Sequence, residues 1–288
     1  MDLFESLKAK ITNRQFKIVF PEGTEPRIIG AAARLNADRI LKPILIGATN
    51  DIQQIAAAKG FNLDGITIID PQEYPTADFE KMVAAFVERR KGKATPEQAQ
   101  TILQDPNYFG TMLVYLNLAD GMVSGAVHST GDTVRPALQI IKTKPGVQRT
   151  SGAFIMQRGR DNERYLFSDC AININPNAQE LAEIAVESAK TAELFDIDPK
   201  VALLSFSTMG SAKADEVTKV QEAARIAHEI APELDIDGDL QFDAAYVPVV
   251  ANQKAPDSKV AGRATLVVFP ELKSRKNGYK NAPRFWDF

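Results

Sequence analysis

Cysteine occurs once in the 288 residues, at Cys170, so no intrachain disulfide can form and no thiolate-rich metal site can be built. Histidine is nearly as scarce, with only His128 and His228. Two imidazoles fall short of a histidine-based zinc site, and the expectation is no bound metal. Long apolar runs are missing too, since none approaches the ~20 residues that span a bilayer. The opening 1–10 segment lacks the apolar stretch of a secretory signal. These absences predict a cytoplasmic protein without a membrane partner. Neither sign of charge dominates: 34 Lys and Arg face 37 Asp and Glu, for a net charge of -3. No net field therefore favours nucleic acid. What is present is an ordinary globular composition, 44% hydrophobic and 25% charged. At roughly 150 residues per domain, the length corresponds to about two domains.

Short apolar runs alternate with helical patterns. Leu3, Phe4, Leu7 and Ile11 mark one face of an N-terminal amphipathic helix. Strands are predicted at 17–20, 43–47, 66–69 and 121–127, with helices at 26–36, 51–59, 77–91 and 108–118 between them. Thr95 reads as an N-cap, with Pro96 first in the helix and Gln98 three residues after the cap. The second half predicts strands at 152–157, 165–168, 201–206 and 266–269, and helices at 177–195 and 214–231. In the first of these helices Leu181, Ile184, Ala185, Ala189 and Ala192 recur near period 3.6. The alternation predicts an α/β fold of two α/β domains with mostly parallel sheets and an inter-domain cleft. The Pro145-Gly146 stretch divides the chain into 1–147 and 148–272, followed by a divergent tail at 273–288 that lacks a strand or helix period.

The densest polar cluster runs from His128 through Ser129, Thr130 and Gly131 to Arg135, directly after a predicted strand. Ligands of open α/β sheets bind beyond the carboxyl ends of strands. A helix starting here would offer backbone amides to an anion, and Arg135 a bidentate grip on phosphate. The competing reading is a capping turn in which Ser129 and Thr130 only satisfy backbone groups. A second cluster, 205–213, holds Ser207, Thr208, Gly210 and Ser211 after another strand. One such loop in each half makes a cleft between domains the expected ligand site. The aspartates 235, 237, 239 and 243 lack the spacing of a calcium loop and read as a solvated acidic loop. Cys170 reads as structural, with a Cys–His pairing to His128 as the alternative. Arg89, at the end of a basic helix terminus, either neutralises that terminus or docks a nucleotide phosphate.

Taken together, Phe20-Pro21-Glu22-Gly23, 120–126, His128-Ser129-Thr130 through 135–139, 153–156, Asp169-Cys170-Ala171, 205–211 and 237–245 resemble the phosphate acetyltransferase (phosphotransacetylase) family. The resemblance runs from near residue 1 to about Leu272. It implies an acyltransferase that moves an acetyl group reversibly between acetyl phosphate and coenzyme A, with inorganic phosphate as the other product. It also implies no cofactor, a homodimer and two α/β domains. By motif match, Ser129 and Arg135 would be catalytic, with Arg135 on the phosphoryl group or the coenzyme A. Arg89, Thr130, Ser207, Ser211 and Cys170 would lie around the substrates. A phosphate butyryltransferase would share this fold and mechanism. The family carries a later Asn-Asp-Leu-Ser-Arg-Gly type loop whose Ser, Arg and Asp serve catalysis, and 273–288 has no counterpart. The alternative expectation is therefore a truncated, catalytically impaired family member.

Overall fold

The computed structural model describes residues 3–12, 14–145, 147, 149–158, 163–169 and 171–285, with the side chains of 283 and 285 left aside. The chain separates into two compact units, Leu3–Lys142 and Thr143–Phe288.

The first unit contains α1 (Leu3–Ile11), β1 (Lys17–Phe20), α2 (Pro26–Ala37), β2 (Lys42–Ile46), α3 (Thr49–Lys59) and β3 (Thr67–Ile69). It continues through α4 (Thr76–Arg90), α5 (Pro96–Ile102), α6 (Pro106–Tyr115), β4 (Gly121–Met122) and α7 (Thr130–Ile140). The strands pair in the order β3-β2-β1-β4, and all three pairings are parallel. Parallel strands covered on both faces need apolar residues throughout. Ile44, Leu45 and Ile46 are accordingly buried in succession, packing into two separate clusters. The helix ends follow local chemistry. Gly60 closes α3 in the left-handed region, where glycine is unstrained. Thr95 and Gln98 form a reciprocal capping box on α5.

The second unit contains β5 (Ala153–Arg158), β6 (Glu163–Ser168), α8 (Ala178–Leu194), β7 (Val201–Leu204), α9 (Asp215–Ile230) and β8 (Ile236–Leu240). It ends with α10 (Phe242–Tyr246), α11 (Pro248–Lys254), β9 (Leu266–Val268) and α12 (Leu272–Phe285). Its order is β5-β6-β9-β7-β8, parallel except for the β5–β6 hairpin. The predicted stripe of α8 is buried at all five positions against α9 and the sheet. The fold class is thus mixed α/β with mostly parallel sheets.

Three segments depart from the sequence reading. The expected strand 121–127 pairs only over Gly121–Met122, because a buried carboxylate draws the following residues out of the sheet. The expected acidic loop is instead the strand β8, and its Asp239 is buried rather than solvated. The tail, which shows no period in sequence, is helical as α12. It packs Ala282 and Tyr279 into the core of the second unit and buries Arg275.

Candidate active site

In each sheet the strand order reverses at one place, and loops from the carboxyl ends of the flanking strands meet there. Such switch points are where open α/β sheets bind ligands. In the first unit the switch lies between β1 and β4. The loop after β1 begins Pro21-Glu22-Gly23, and Gly23 approaches β2 so closely that a Cβ would lie 2.4 Å from the Ile46 carbonyl oxygen. Only glycine fits there, and this sets Glu22 under the loop that follows β4.

Glu22 is the organising residue of this site. Its side chain is only 2% exposed. Oε2 accepts the backbone N–H of Gly125 at 3.1 Å and of Ala126 at 2.8 Å. Oε1 accepts those of Val127 and His128, at 2.8 and 2.9 Å, and lies 2.8 Å from the His128 ring Nδ1. Burial alone would raise the carboxyl pKa. The hydrogen bonds from Val127, His128 and Ala126 and from the His128 ring outweigh it and hold the pKa at about 2. The anion is therefore permanent at neutral pH, and the loop from Gly125 to His128 is gripped by it.

That loop delivers the chain into α7. Ser129 is its N-cap: Oγ accepts from the Asp132 N–H at 3.2 Å and lies 2.6 Å from Asp132 Oδ2. The capping reading of Ser129 thus holds as a structural fact. Thr130 is the first helical residue. Arg135, one turn further along, has a side chain 61% exposed, and Asp132 approaches its guanidinium only to 4.0 Å. Helix amides and an available guanidinium together suit a phosphate-bearing ligand. The structure brings Ser129, Thr130 and Arg135 into one place and sends Arg89 to the other end of the helix. Arg89 Nε and Nη2 donate to the carbonyls of Ile140 and Ile141, at 2.5 and 2.9 Å, and its guanidinium stacks over Tyr115. Arg89 caps α7 from its C-terminal side.

In the second unit the switch lies between β9 and β7. The loop after β7 carries Ser207 and Ser211, and both hydroxyls serve the loop itself. Ser207 Oγ accepts the Ala212 N–H at 3.1 Å, and Ser211 Oγ accepts that of Thr208 at 3.0 Å. The two oxygens are 3.4 Å apart. Asp239 of β8 braces this loop by accepting from Gly210 and from Gln221 Nε2. Burial would raise the Asp239 carboxyl, and the bonds from Ser207, Gln221 and Gly210 turn the balance downward.

Beyond the carboxyl ends of β7 and β9 lies a cavity of about 790 Å³. Ser205, Phe206, Phe242, Lys219, Lys273 and Asn175 are among its walls. Lys219 donates to Asn175 Oδ1 at 2.9 Å and to the Pro270 carbonyl at 3.1 Å, and burial lowers its pKa. Its walls combine the aromatic rings of Phe206, Phe242 and Phe269 with two lysines and two carboxylates, Glu216 and Glu271, a mixed lining of the kind that small-molecule sites use.

Beside the cavity, Asp169 accepts backbone amides from Gly152, Ala171, Ile172 and Asn173. Arg275 of α12 pairs with it at 3.0 Å, both side chains being within 1% of full burial. The same guanidinium donates to the Asn173 carbonyl. Cys170, predicted near the substrates, lies outside the described residues.

Glu22 and Asp169 lie within motifs that carry the resemblance, yet nothing in their own segments assigns either a role. Both are ordinary loop acids until the fold surrounds them with amides. Among the described residues no helix is long and apolar enough to cross a membrane.

The profile of the phosphate acetyl/butaryl transferase family matches residues 2–288. A phosphate acetyltransferase of Bacillus subtilis is 58% identical over 287 residues, covering 100% of this chain and 88% of that protein. One from Staphylococcus epidermidis is 56% identical over 288 residues, covering 98% and 86%. A solved phosphotransacetylase from Streptococcus pyogenes superposes with a TM-score of 0.93 at 60% identity, over 98% of this chain and 85% of that one. A branched-chain phosphotransacylase from Enterococcus faecalis, at 15% identity and a TM-score of 0.60, shares the fold.

Proposed function

The chain belongs to the phosphate acetyl/butaryl transferase family, and from that premise we propose that it transfers an acetyl group reversibly between acetyl phosphate and coenzyme A. The observation that carries the reading is the extent of the likeness, 58% identity to a phosphate acetyltransferase along the whole chain. Acetyl phosphate, coenzyme A and inorganic phosphate are its substrates and products. It works as a homodimer in the cytoplasm.

The chemistry asked of the protein is modest, because acetyl phosphate is already activated. A thiol must lose its proton, a tetrahedral oxyanion must be stabilised, and phosphate must leave. Arg135 binds the phosphoryl oxygens and offsets charge that builds on them as the C–O bond breaks. The first turn of α7, with Ser129 and Thr130, supplies amides and the positive end of a helix dipole to the same anion. Ser207 and Ser211 shape the wall of the second unit's loop. Holding two anionic substrates in reacting geometry supplies much of the remaining rate. The test is a pair of variants. Arg135→Lys keeps the charge and loses the planar fork, so KM for acetyl phosphate should rise, and Arg135→Ala should cost a further drop in kcat. Parent-like kinetics for Arg135→Ala would remove Arg135 from the site. Parallel assays with butyryl phosphate report the acyl preference.

A further inference from the structure

We propose that Lys142 is an acetylation site of this chain, modified at Nζ by acetyl phosphate without a second protein; the proposal takes from the transferase reading above only that this acyl phosphate surrounds the chain. The last turns of two helices come together here. Arg89 and Arg90 end α4, and Lys91 follows in the left-handed region at φ 49°. Gly92 turns the chain back, so that the Lys93 N–H donates to the Arg90 carbonyl at 3.2 Å. Arg89 pins the end of α7 to this turn through the Ile140 and Ile141 carbonyls. Lys142 comes next, exposed, with its backbone N–H on the Ala137 carbonyl at 2.9 Å. Arg89, Arg90, Lys91 and Lys93 all act on its charge, so five cations share one corner. Among the described residues no carboxylate pairs with Lys142. Glu88, the acid on the same turn of α4, gives its backbone carbonyl to the Lys91 N–H and makes no ion pair there.

This corner supplies both things that amine acylation needs. An ordinary lysine is almost wholly ammonium at neutral pH, and only the amine attacks. Repulsion from Arg89 leads the causes that hold the Lys142 pKa below its usual value, followed by lost hydration and by Lys91, Lys93 and Arg90. The same cations attract the reagent, because acetyl phosphate carries its charge on the phosphoryl group that becomes the leaving group. A solvated helix terminus needs no more than a cation or two to offset its dipole. Lys81 is the opposite case: Asp78 pairs with it at 2.9 Å and raises its pKa. The reaction balances. The Nζ lone pair adds to the acetyl carbon as an N–C bond, the C–O bond to phosphate breaks, and its electron pair leaves with the phosphate. The proton lost from nitrogen passes to that phosphate or to water, and no further reactant is required. The amide formed is neutral, so the corner loses one charge.

The test incubates the full chain with acetyl phosphate at a fixed mildly alkaline pH and low salt, without coenzyme A. The amines that remain are then acetylated with a heavy-isotope reagent after unfolding, and mass spectrometry reads the fraction modified at each lysine. Lys142 should react at least about fivefold faster than Lys81, since a single pKa unit is worth about tenfold in amine. High salt should cut that advantage by about twofold or more, because exposed charges are screened. With p-nitrophenyl acetate, a neutral acylating agent, the advantage should be smaller, since no charge draws that reagent in. Lys93→Glu should slow Lys142 by about threefold or more and leave Lys81 unchanged. Equal rates at Lys142 and Lys81, an advantage just as large with the neutral reagent, or no response to Lys93→Glu overturns the proposal. A parent chain that transfers no acetyl group to coenzyme A would instead refute the transferase reading.

Discussion

Replacing Glu22 with glutamine should cost far more than a conservative exchange at a loop acid. The side chain serves five donors, two on Oε2 and three on Oε1. A glutamine has one acceptor end. If its oxygen takes the Oε1 side, the new amide confronts the N–H groups of Gly125 and Ala126. The opposite flip confronts three donors. Each buried donor left unmet costs about 1–3 kcal/mol, so two cost about 2–6 kcal/mol. The depressed pKa expresses the same hydrogen bonds as a shift in titration. A carboxyl held at about 2 instead of its ordinary 4.5 contributes about 3 kcal/mol. The loss is thus about 3–4 kcal/mol, a large part of the 5–15 kcal/mol typical of a domain. The sign follows from the depressed pKa. The contribution is complete above pH 4.5 and is lost as pH falls through 2. Circular dichroism melts at pH 7 should therefore show Glu22→Gln lower by roughly 10 °C, with the gap closing toward pH 2. Amide exchange at 125–128 should accelerate by roughly several hundredfold, the same 3–4 kcal/mol at about 1.4 kcal/mol per decade. A variant that melts within 2 °C of the parent and keeps slow amides there would refute the clamp.

Asp169→Asn should destabilise the second unit by about 3–5 kcal/mol, because it leaves the Arg275 guanidinium buried without a counter-charge; urea titration at pH 7 measures it. Burial pushes the Asp169 carboxyl up, and the backbone bonds led by Gly152 and Asn173 carry it below its usual 3.8. The loss should thus be full at neutral pH and fade as acid protonates the parent's own carboxyl. Arg89→Ala should cost about 1–3 kcal/mol by freeing two α7 carbonyls, whereas a residue serving only substrate would leave the melt unchanged. Arg135→Ala should be the converse, with stability within about 0.5 kcal/mol of the parent and activity lost.

Periodic and capping signals carried most of the fold into view. The α8 stripe, the Thr95–Gln98 box and the Gly60 stop are local rules, and tertiary structure obeys them. The misses share a different cause. In β8, two aspartates and a glycine break the apolar alternation, yet Asp237 accepts from Ser258 and Asp239 from Gly210 and Gln221. A strand whose polar residues are satisfied across the fold carries no signal in its own segment. In α12 the buried interior position is filled by Arg275, which reads as a surface residue until Asp169 is seen opposite it. The candidate site follows the same division. Ser129, Thr130 and Arg135 were legible as a polar run after a strand, because strand-end loops bind anions. Glu22 was not, since its five donors come from residues about a hundred positions away. Arg89 was legible only as two alternatives, and the Ile140 and Ile141 carbonyls show it capping a neighbouring helix rather than its own.

Acyl transfer by this chain is measured most directly as the initial rate of acetyl-CoA formation from acetyl phosphate and coenzyme A. Turnover should be saturable in both substrates, release phosphate in equal amount and drop strongly on Arg135→Ala. A folded chain that forms no acetyl-CoA above the buffer rate, in either direction of the reaction, would contradict it.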